Sequence, residues 1–300
     1  MIRAGIVDFD TSHVVEFTRR FNHIDVDKDQ WIDGVQVVMG YPGTSRITSK
    51  DGLVEYTSTL RDKYGIAIVD KPEDMIGKID AVLIESQEGS VHLKMAKPFL
   101  SAGIPTFIDK PFTCSLSDAN ELVALAKAKN APLFSASSLR YALEIQEIKA
   151  NSGEFGAIIG ADAFSPASLH PNNPGLFHYG IHGVETLYAL MGPGCRSVSC
   201  TYEEGAEVVV GRWKDGRIGT MRGLRHPPHD YGFTAFCEKK IVAKNINTVY
   251  IYRELLKQIA TMFRTRRVPF DPAEMVELVG FIESALTSAK KKGESVEIAV

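Results

Sequence analysis

From its first residue the chain alternates short apolar runs with helical patterns, and that alternation limits its fold more than any other feature. Met1 to Val7 reads as a strand, and Val14, Phe17 and Phe21 follow at helical spacing behind Thr11 and Ser12, either of which can cap a helix. Further strands are expected over 35–39, 66–69, 80–85, 105–108 and 133–136. A helix should follow Ser90, and another should be opened by the capping-box pair Asp118 and Glu121. Parallel strands cannot be joined by a tight turn, so strands separated by helices build a parallel sheet with crossovers on its faces. The first domain, residues 1–120, is therefore expected to be a doubly wound α/β unit.

The pattern changes after Glu154. Six strand candidates, 156–164, 197–203, 207–213, 218–224, 232–237 and 240–245, follow with few helices between them. Asp215 and Gly216 separate two of these runs, and an Asp-Gly pair tolerates the positive φ of a hairpin turn. At the end, Asp271, Pro272 and Glu274 supply the start signals of a helix carrying Met275, Leu278, Val279, Ile282 and Leu286. Residues 121–300 should thus form an α+β domain with a large, mostly antiparallel open sheet, the C-terminal helix packing back on the first domain. Val208, Val210 and Trp213 are assigned to an exposed sheet face, through which a homodimer or homotetramer is expected.

Charge and cysteine content exclude several functions. Lysine plus arginine total 34 against 37 acidic residues, a net charge of −3, so no general field for nucleic acid exists. The basic run Arg264, Thr265, Arg266 and Arg267 reads as a solvated helix end. Four cysteines without a CxxC spacing signal neither zinc ribbon nor disulfide framework. No apolar run approaches the ~20 residues of a membrane span, and the opening residues Ile2, Ala4, Ile6 and Val7 do not resemble a leader. The expectation is a cytoplasmic protein that binds a small molecule and neither membrane nor nucleic acid.

The most specific stretch is Ile108, Asp109, Lys110, Pro111 and Phe112 at the end of a parallel strand. Ligands of open α/β sheets bind outside the carboxyl ends of strands, so a lysine there stands where chemistry usually occurs. With Ala102 and Gly103 upstream, Asp109-Lys110-Pro111 resembles the Glu-Lys-Pro marker of the Gfo/Idh/MocA family of nicotinamide-dependent oxidoreductases. His92 and Ala96 fit that family's preceding helix, Arg140 and Gly156 fit later landmarks, and Gly180, Ile181 and His182 match its Gly-x-His.

The resemblance implies a Rossmann-type first domain and hydride transfer to or from a sugar, polyol or cyclitol. By it, Lys110 and His182 would be catalytic and would flank the reacting carbon, with Asp109 orienting Lys110. Oxidising an alcohol needs a base for the hydroxyl proton and a cation for the developing alkoxide, and imidazole and ammonium suit those roles. Arg140, His178, Tyr179 and Glu185 would contact substrate. Gly5, Asp10, Thr11, Ser12, His13, Thr44, Ser45, Arg46, Glu85, Ser86, His92, Asp109 and Lys110 would line the cofactor cleft. The hydroxyls of Thr44 and Ser45 with the Arg46 guanidinium suit a 2′-phosphate, which favours NADP over NAD.

One stretch departs from the family. Gly5 is kept, but Asp8, Asp10 and His13 stand where a dinucleotide fingerprint needs its three glycines. At ~5 Å and an effective dielectric of about 20, each carboxylate–phosphate pair costs roughly 3 kcal/mol. The spacing of Asp8, Asp10 and His13 also permits a metal, as does that of His178, His182 and Glu185 on an early-starting helix; neither is adopted, and no metal is expected. Two rival readings stay open: a non-redox ligand-binding or scaffold descendant of the fold, and an enzyme that holds NAD tightly for lyase or glycoside chemistry.

Overall fold

A computed structural model describes residues 1–299. The chain divides into two compact units, one of residues 1–113, 117–136 and 252–272, the other of residues 114–116, 137–251 and 273–299.

The first unit holds strands β1 (Ile2–Val7), β2 (Val35–Tyr41), β3 (Ala67–Ile68), β4 (Ala81–Ile84), β5 (Thr106–Ile108) and β6 (Leu133–Ser135). Helices α1 (His13–Phe21), α2 (Lys50–Ser58), α3 (His92–Ser101) and α4 (Leu116–Ala128) separate them. The strands form one parallel sheet in the order β3-β2-β1-β4-β5-β6. Burial on both faces explains why β4 and β5 consist of apolar residues and Thr106 without alternation. The order reverses between β1 and β4, so the crevice at their carboxyl ends is the place where such sheets hold ligands. α2 buries none of its residues, which is why no apolar stripe announces it. α4 starts at Leu116, so Asp118 lies inside its first turn instead of capping it.

The second unit contains α5 (Leu143–Ala150), α6 (Ser152–Phe155), β7 (Ile158–Pro166), α7 (Ile181–Met191), β8 (Cys195–Glu203), β9 (Ala206–Trp213), β10 (Ile218–Leu224), β11 (Gly232–Cys237) and β12 (Ile241–Asn245). The chain then returns to the first unit as α8 (Ile251–Thr265) and ends in the second as α9 (Pro272–Lys290) and β13 (Val296–Glu297). The division therefore differs from a single cut at residue 120. Residues 121–136 complete the first sheet, α8 belongs to the first unit, and α9 is assigned to the second.

The second sheet runs β12-β11-β7-β10-β9-β8-β13 and is antiparallel except for the parallel pair β7 and β10. The Asp215-Gly216 turn joins β9 to β10, with Gly216 at φ 90°. α7 is buried along its whole length and packs on β7, β10 and β11. Close approach is possible because Gly183 lacks a Cβ; one built there would lie 2.6 Å from Met221 Cε.

Alternation along β9 puts Val208 and Val210 on the open face but Trp213 on the covered one, where its Nε1 donates to the Gly192 carbonyl at 2.9 Å. Trp213 therefore does not belong to the exposed apolar face. Cys195, Cys200 and Cys237 are buried thiols, and Cys114 is half-buried. No helix among the described residues is long and apolar enough to cross a membrane.

α9 is joined to this core by Glu277, whose carboxylate accepts from Gly194 N and Cys195 N, each at 2.8 Å, and from the Tyr188 hydroxyl at 3.1 Å. A buried donor left unsatisfied costs about 1–3 kcal/mol, so Glu277→Ala should lower unfolding free energy by about 3 kcal/mol or more. Chemical denaturation checks this, and a loss below about 1 kcal/mol would contradict the capping role.

Candidate functional site

The site in the first unit starts where β1 ends. Asp8 has φ 63°, the left-handed region that Asp and Asn enter more readily than other residues with a Cβ. Its N–H donates to the Tyr41 carbonyl at 2.9 Å, and Phe9 N–H donates to Pro42 at 2.8 Å. Phe9 fills the space over Gly40, where a Cβ would meet the ring at 2.5 Å. Gly43, at φ 66°, leaves room for the Asp8 carboxylate, whose Oδ1 would lie 1.8 Å from a Cβ there. The glycines of this region thus sit at the end of β2 and accommodate large side chains from the first loop. Gly5 lies mid-strand, and Ile79 and Met75 occupy the space beside it.

Four carboxyl groups are buried at these strand ends. Asp8 Oδ2 accepts from the Ser86 hydroxyl, while Oδ1 is buried without a partner. Burial pushes Asp8 up to about 7 and Asp10 adds to this, while the Ser86 hydroxyl and Lys94 oppose it. Asp10 Oδ1 accepts from Gln87 N at 2.8 Å. Burial pushes Asp10 up to about 6, against the pull of the Gln87 amide, the Ser45 hydroxyl and Lys110. Glu85 is fully buried with both carboxylate oxygens unpartnered, and burial together with the Asp109 charge raises it far above the usual range.

Asp109 goes the other way. Burial would raise it, but His13 and Lys110 outweigh burial and hold it below the ordinary carboxylate range. His13 Nδ1 lies 2.7 Å from Asp109 Oδ2, and Lys110 Nζ lies 3.9 Å from the same oxygen. His92 spans 2.8 Å to the Ser86 carbonyl and 3.0 Å to the Phe112 carbonyl, tying the loop after β4 to the turn that carries Lys110.

Of the other expected cofactor residues, Arg46, Ser45 and Thr11 are used within the protein. Arg46 makes a two-pronged ion pair with Glu88, its Nε lying 2.8 Å from Oε2. Gln87 Nε2 donates to the Asp10 carbonyl at 2.6 Å, and the Thr48 hydroxyl donates to the same oxygen. Ser45 Oγ accepts from Ile47 N and Thr48 N, and Thr11 Oγ1 from His13 N. Thr44 is exposed, and Ser12 precedes α1 without a side-chain capping bond. The loops after β2 and β4 are therefore stitched together. Of Glu88, Gln87 and Thr48, which make the stitch, Thr48 has no motif to single it out.

Whether a nicotinamide dinucleotide suits these residues depends on its diphosphate, which needs close backbone approach and a field that tolerates negative charge. Here the approach is filled by Phe9 and by the Asp8 and Asp10 carboxyls, and the Arg46 cation is neutralised by Glu88. In this arrangement the seat does not fit a diphosphate.

In the second unit, His182 at the start of α7 has Nδ1 2.7 Å from Ser137 Oγ. Ser137 N donates to Glu185 Oε1 at 3.1 Å, Glu185 Oε2 accepts from Arg140 Nε at 2.5 Å, and Arg140 Nη1 reaches Glu274 at 2.6 Å. Arg140 and Glu185 thus form a buried row behind His182. Burial raises the Glu185 carboxyl, with Arg140 opposing. Glu274 pairs with Arg140, a use its place in the helix-start pattern does not suggest. On the other side of His182, the rings of His170, His178, Tyr179, His182 and Tyr231 follow one another at centroid spacings of 5.2–5.7 Å. Tyr179 and Tyr231 line a cavity of about 490 Å³ together with Arg225, His229, Pro166, Ser168 and Leu224. Ser137 and Tyr231 are residues a motif search passes over; the polar loop 225–231 is the available signal.

Residues 50–137 match the oxidoreductase family described as an NAD-binding Rossmann fold. YceM of Salmonella typhimurium, whose name assigns it to the oxidoreductases, is 30% identical over 142 residues, 47% of this chain and 46% of its own length. The match thus spans about half of that curated relative. Among solved structures, a probable dehydrogenase of Thermotoga maritima superposes with a TM-score of 0.81 at 17% identity, covering 99% of both chains. The scyllo-inositol dehydrogenase of Lactobacillus casei, solved with NAD(H) and scyllo-inositol, gives 0.81 at 12% identity over the whole of both chains. At these identities the likeness is one of fold.

The Asp8 shift fixes the sign of a pH effect. A carboxyl held near 7 in the folded chain and near 3.8 when unfolded binds its proton more tightly in the native state. Its contribution to stability is complete below the lower value and is lost as the pH rises through the upper one. Asp8→Asn keeps the left-handed backbone and an acceptor for Ser86 without the charge. The variant should be more stable than wild type by about 3 kcal/mol near pH 8, with the difference vanishing near pH 4. Equal stability at both ends of that range would contradict the assignment.

Proposed function

We propose that this chain, whose residues 50–137 belong to the Gfo/Idh/MocA oxidoreductase family, is a dehydrogenase-class enzyme acting on a hydroxyl group of a sugar, polyol or cyclitol. The observation that carries the proposal is Lys110: a buried ammonium beside Asp109, immediately after β5, at the carboxyl end of a parallel sheet. A lysine so placed stabilises charge that develops on a substrate oxygen, and Asp109 keeps it in position. In the second unit His182 is the proton-handling group, its ring set by Ser137, which the Glu185–Arg140–Glu274 row holds in turn.

The substrate class is supported by the cavity beside Tyr179 and Tyr231. Aromatic faces take the C–H side of a sugar ring, and Ser168 and His229 offer polar groups to its hydroxyls, while Arg225 is held by Glu207 and the Glu203 carbonyl. The inositol-bound neighbour agrees with this choice. Within this reading the enzyme is a cytoplasmic homo-oligomer that pairs through the open face of the second sheet, where Val208 and Val210 lie. A path for hydride does not follow from this arrangement, because the diphosphate seat does not fit the nucleotide that would carry it.

That misfit favours a second reading, a non-redox ligand-binding descendant of the fold. Titration with NADH and NADPH separates the two. The acids of the first loop are neutral at about pH 5 and charged at about pH 8, so nucleotide should bind at least about tenfold tighter at the lower pH. Lys110→Met should lower turnover about 100-fold or more. Absence of binding to both nucleotides at about 1 mM, at either pH, would overturn the dehydrogenase reading in favour of the second.

A further inference from the structure

We propose that His13, Glu85 and Asp109 form a site for one first-row divalent transition-metal ion. The three residues stand at the start of α1 and just beyond β4 and β5, and β1, β4 and β5 are consecutive neighbours in the sheet. Their strand ends therefore lie side by side, and one donor atom from each lies within 4.8 Å of the other two. Donors ~2.1 Å from a common metal stand ~3–4 Å apart, so closing the cage needs only a small side-chain contraction.

Two further observations point to a cation. Glu85 is 0% exposed, and neither of its carboxylate oxygens has a hydrogen-bond partner. Asp109 is 1% exposed, with Oδ2 toward His13 and Oδ1 unpartnered. Buried carboxylate oxygens without donors are costly, and buried charges are ordinarily paired or bound to metal. The nearby basic groups are fewer than the acids: Asp8, Asp10, Glu85 and Asp109 face Lys94, Lys110 and His13. One imidazole with two carboxylates suits zinc, manganese, cobalt or iron, whereas calcium and magnesium prefer oxygen ligands alone.

The site shares only His13 with the triplets that the sequence spacing offered. Asp8 and Asp10 bond to Ser86 and Gln87, while Glu185 is engaged by Ser137 and Arg140.

The test uses full-length protein stripped with a chelator and contains no nucleotide, so its outcome is independent of the dehydrogenase reading. Calorimetric titration with Zn²⁺, and visible absorption with Co²⁺, should show one equivalent bound at about 10 μM or tighter. Glu85→Gln and His13→Gln should each weaken binding about tenfold or more. Glu85→Gln keeps the shape and removes a carboxyl whose buried oxygens lack donors, so it should fold, with circular dichroism and a melting temperature close to wild type. No binding at about 1 mM metal, or unchanged affinity in Glu85→Gln, would overturn the proposal and leave Glu85 a buried neutral acid.

Discussion

Burying a carboxylate without donors is among the costlier acts of folding, and the first unit does it at the carboxyl ends of β1 and β4. Several features follow. Asp8 and Asp10 are raised toward neutrality, and Glu85 further still. Asp109 remains an anion because His13 and Lys110 stand beside it. The loops after β2 and β4 close on one another through Arg46, Glu88, Gln87 and Thr48. The crevice that such a sheet offers to a diphosphate is turned by these acids into one that attracts protons and cations.

The two units use ionisable groups differently. In the first, acids outnumber bases at the strand ends, and some oxygens have no partner. In the second, the row Ser137, Glu185, Arg140 and Glu274 is hydrogen-bonded or ion-paired at each step and holds His182. A paired row fixes geometry. An unpaired cluster is a reservoir of binding energy for whatever neutralises it.

Much of the architecture is legible in the sequence because burial on both faces leaves a strong mark: β4 and β5 read as apolar runs, and α9 as a helical stripe. α2 cannot be read, since it buries nothing. Trp213 stands an odd number of residues from Val208 and Val210, so strand alternation already separates it from them, and grouping the three on one face overlooks that period of two. At the site, Lys110, Asp109 and His182 are visible through a motif. Arg46 is visible too, but its partner Glu88 lies 42 residues away, and no local pattern encodes such a pair. Glu85 can be seen to end a strand. That both its oxygens lack donors is a property of three strand ends brought together, which only the fold supplies.

The central claim is that the acids around the first loop are held partly or wholly neutral near physiological pH. Carboxyl-carbon NMR with a pH titration of labelled Asp and Glu reads this directly. The account predicts midpoints for Asp8 near 7 and Asp10 near 6, with Asp109 below the ordinary carboxylate range. Midpoints for Asp8 and Asp10 both near the ordinary 3.8 would contradict it.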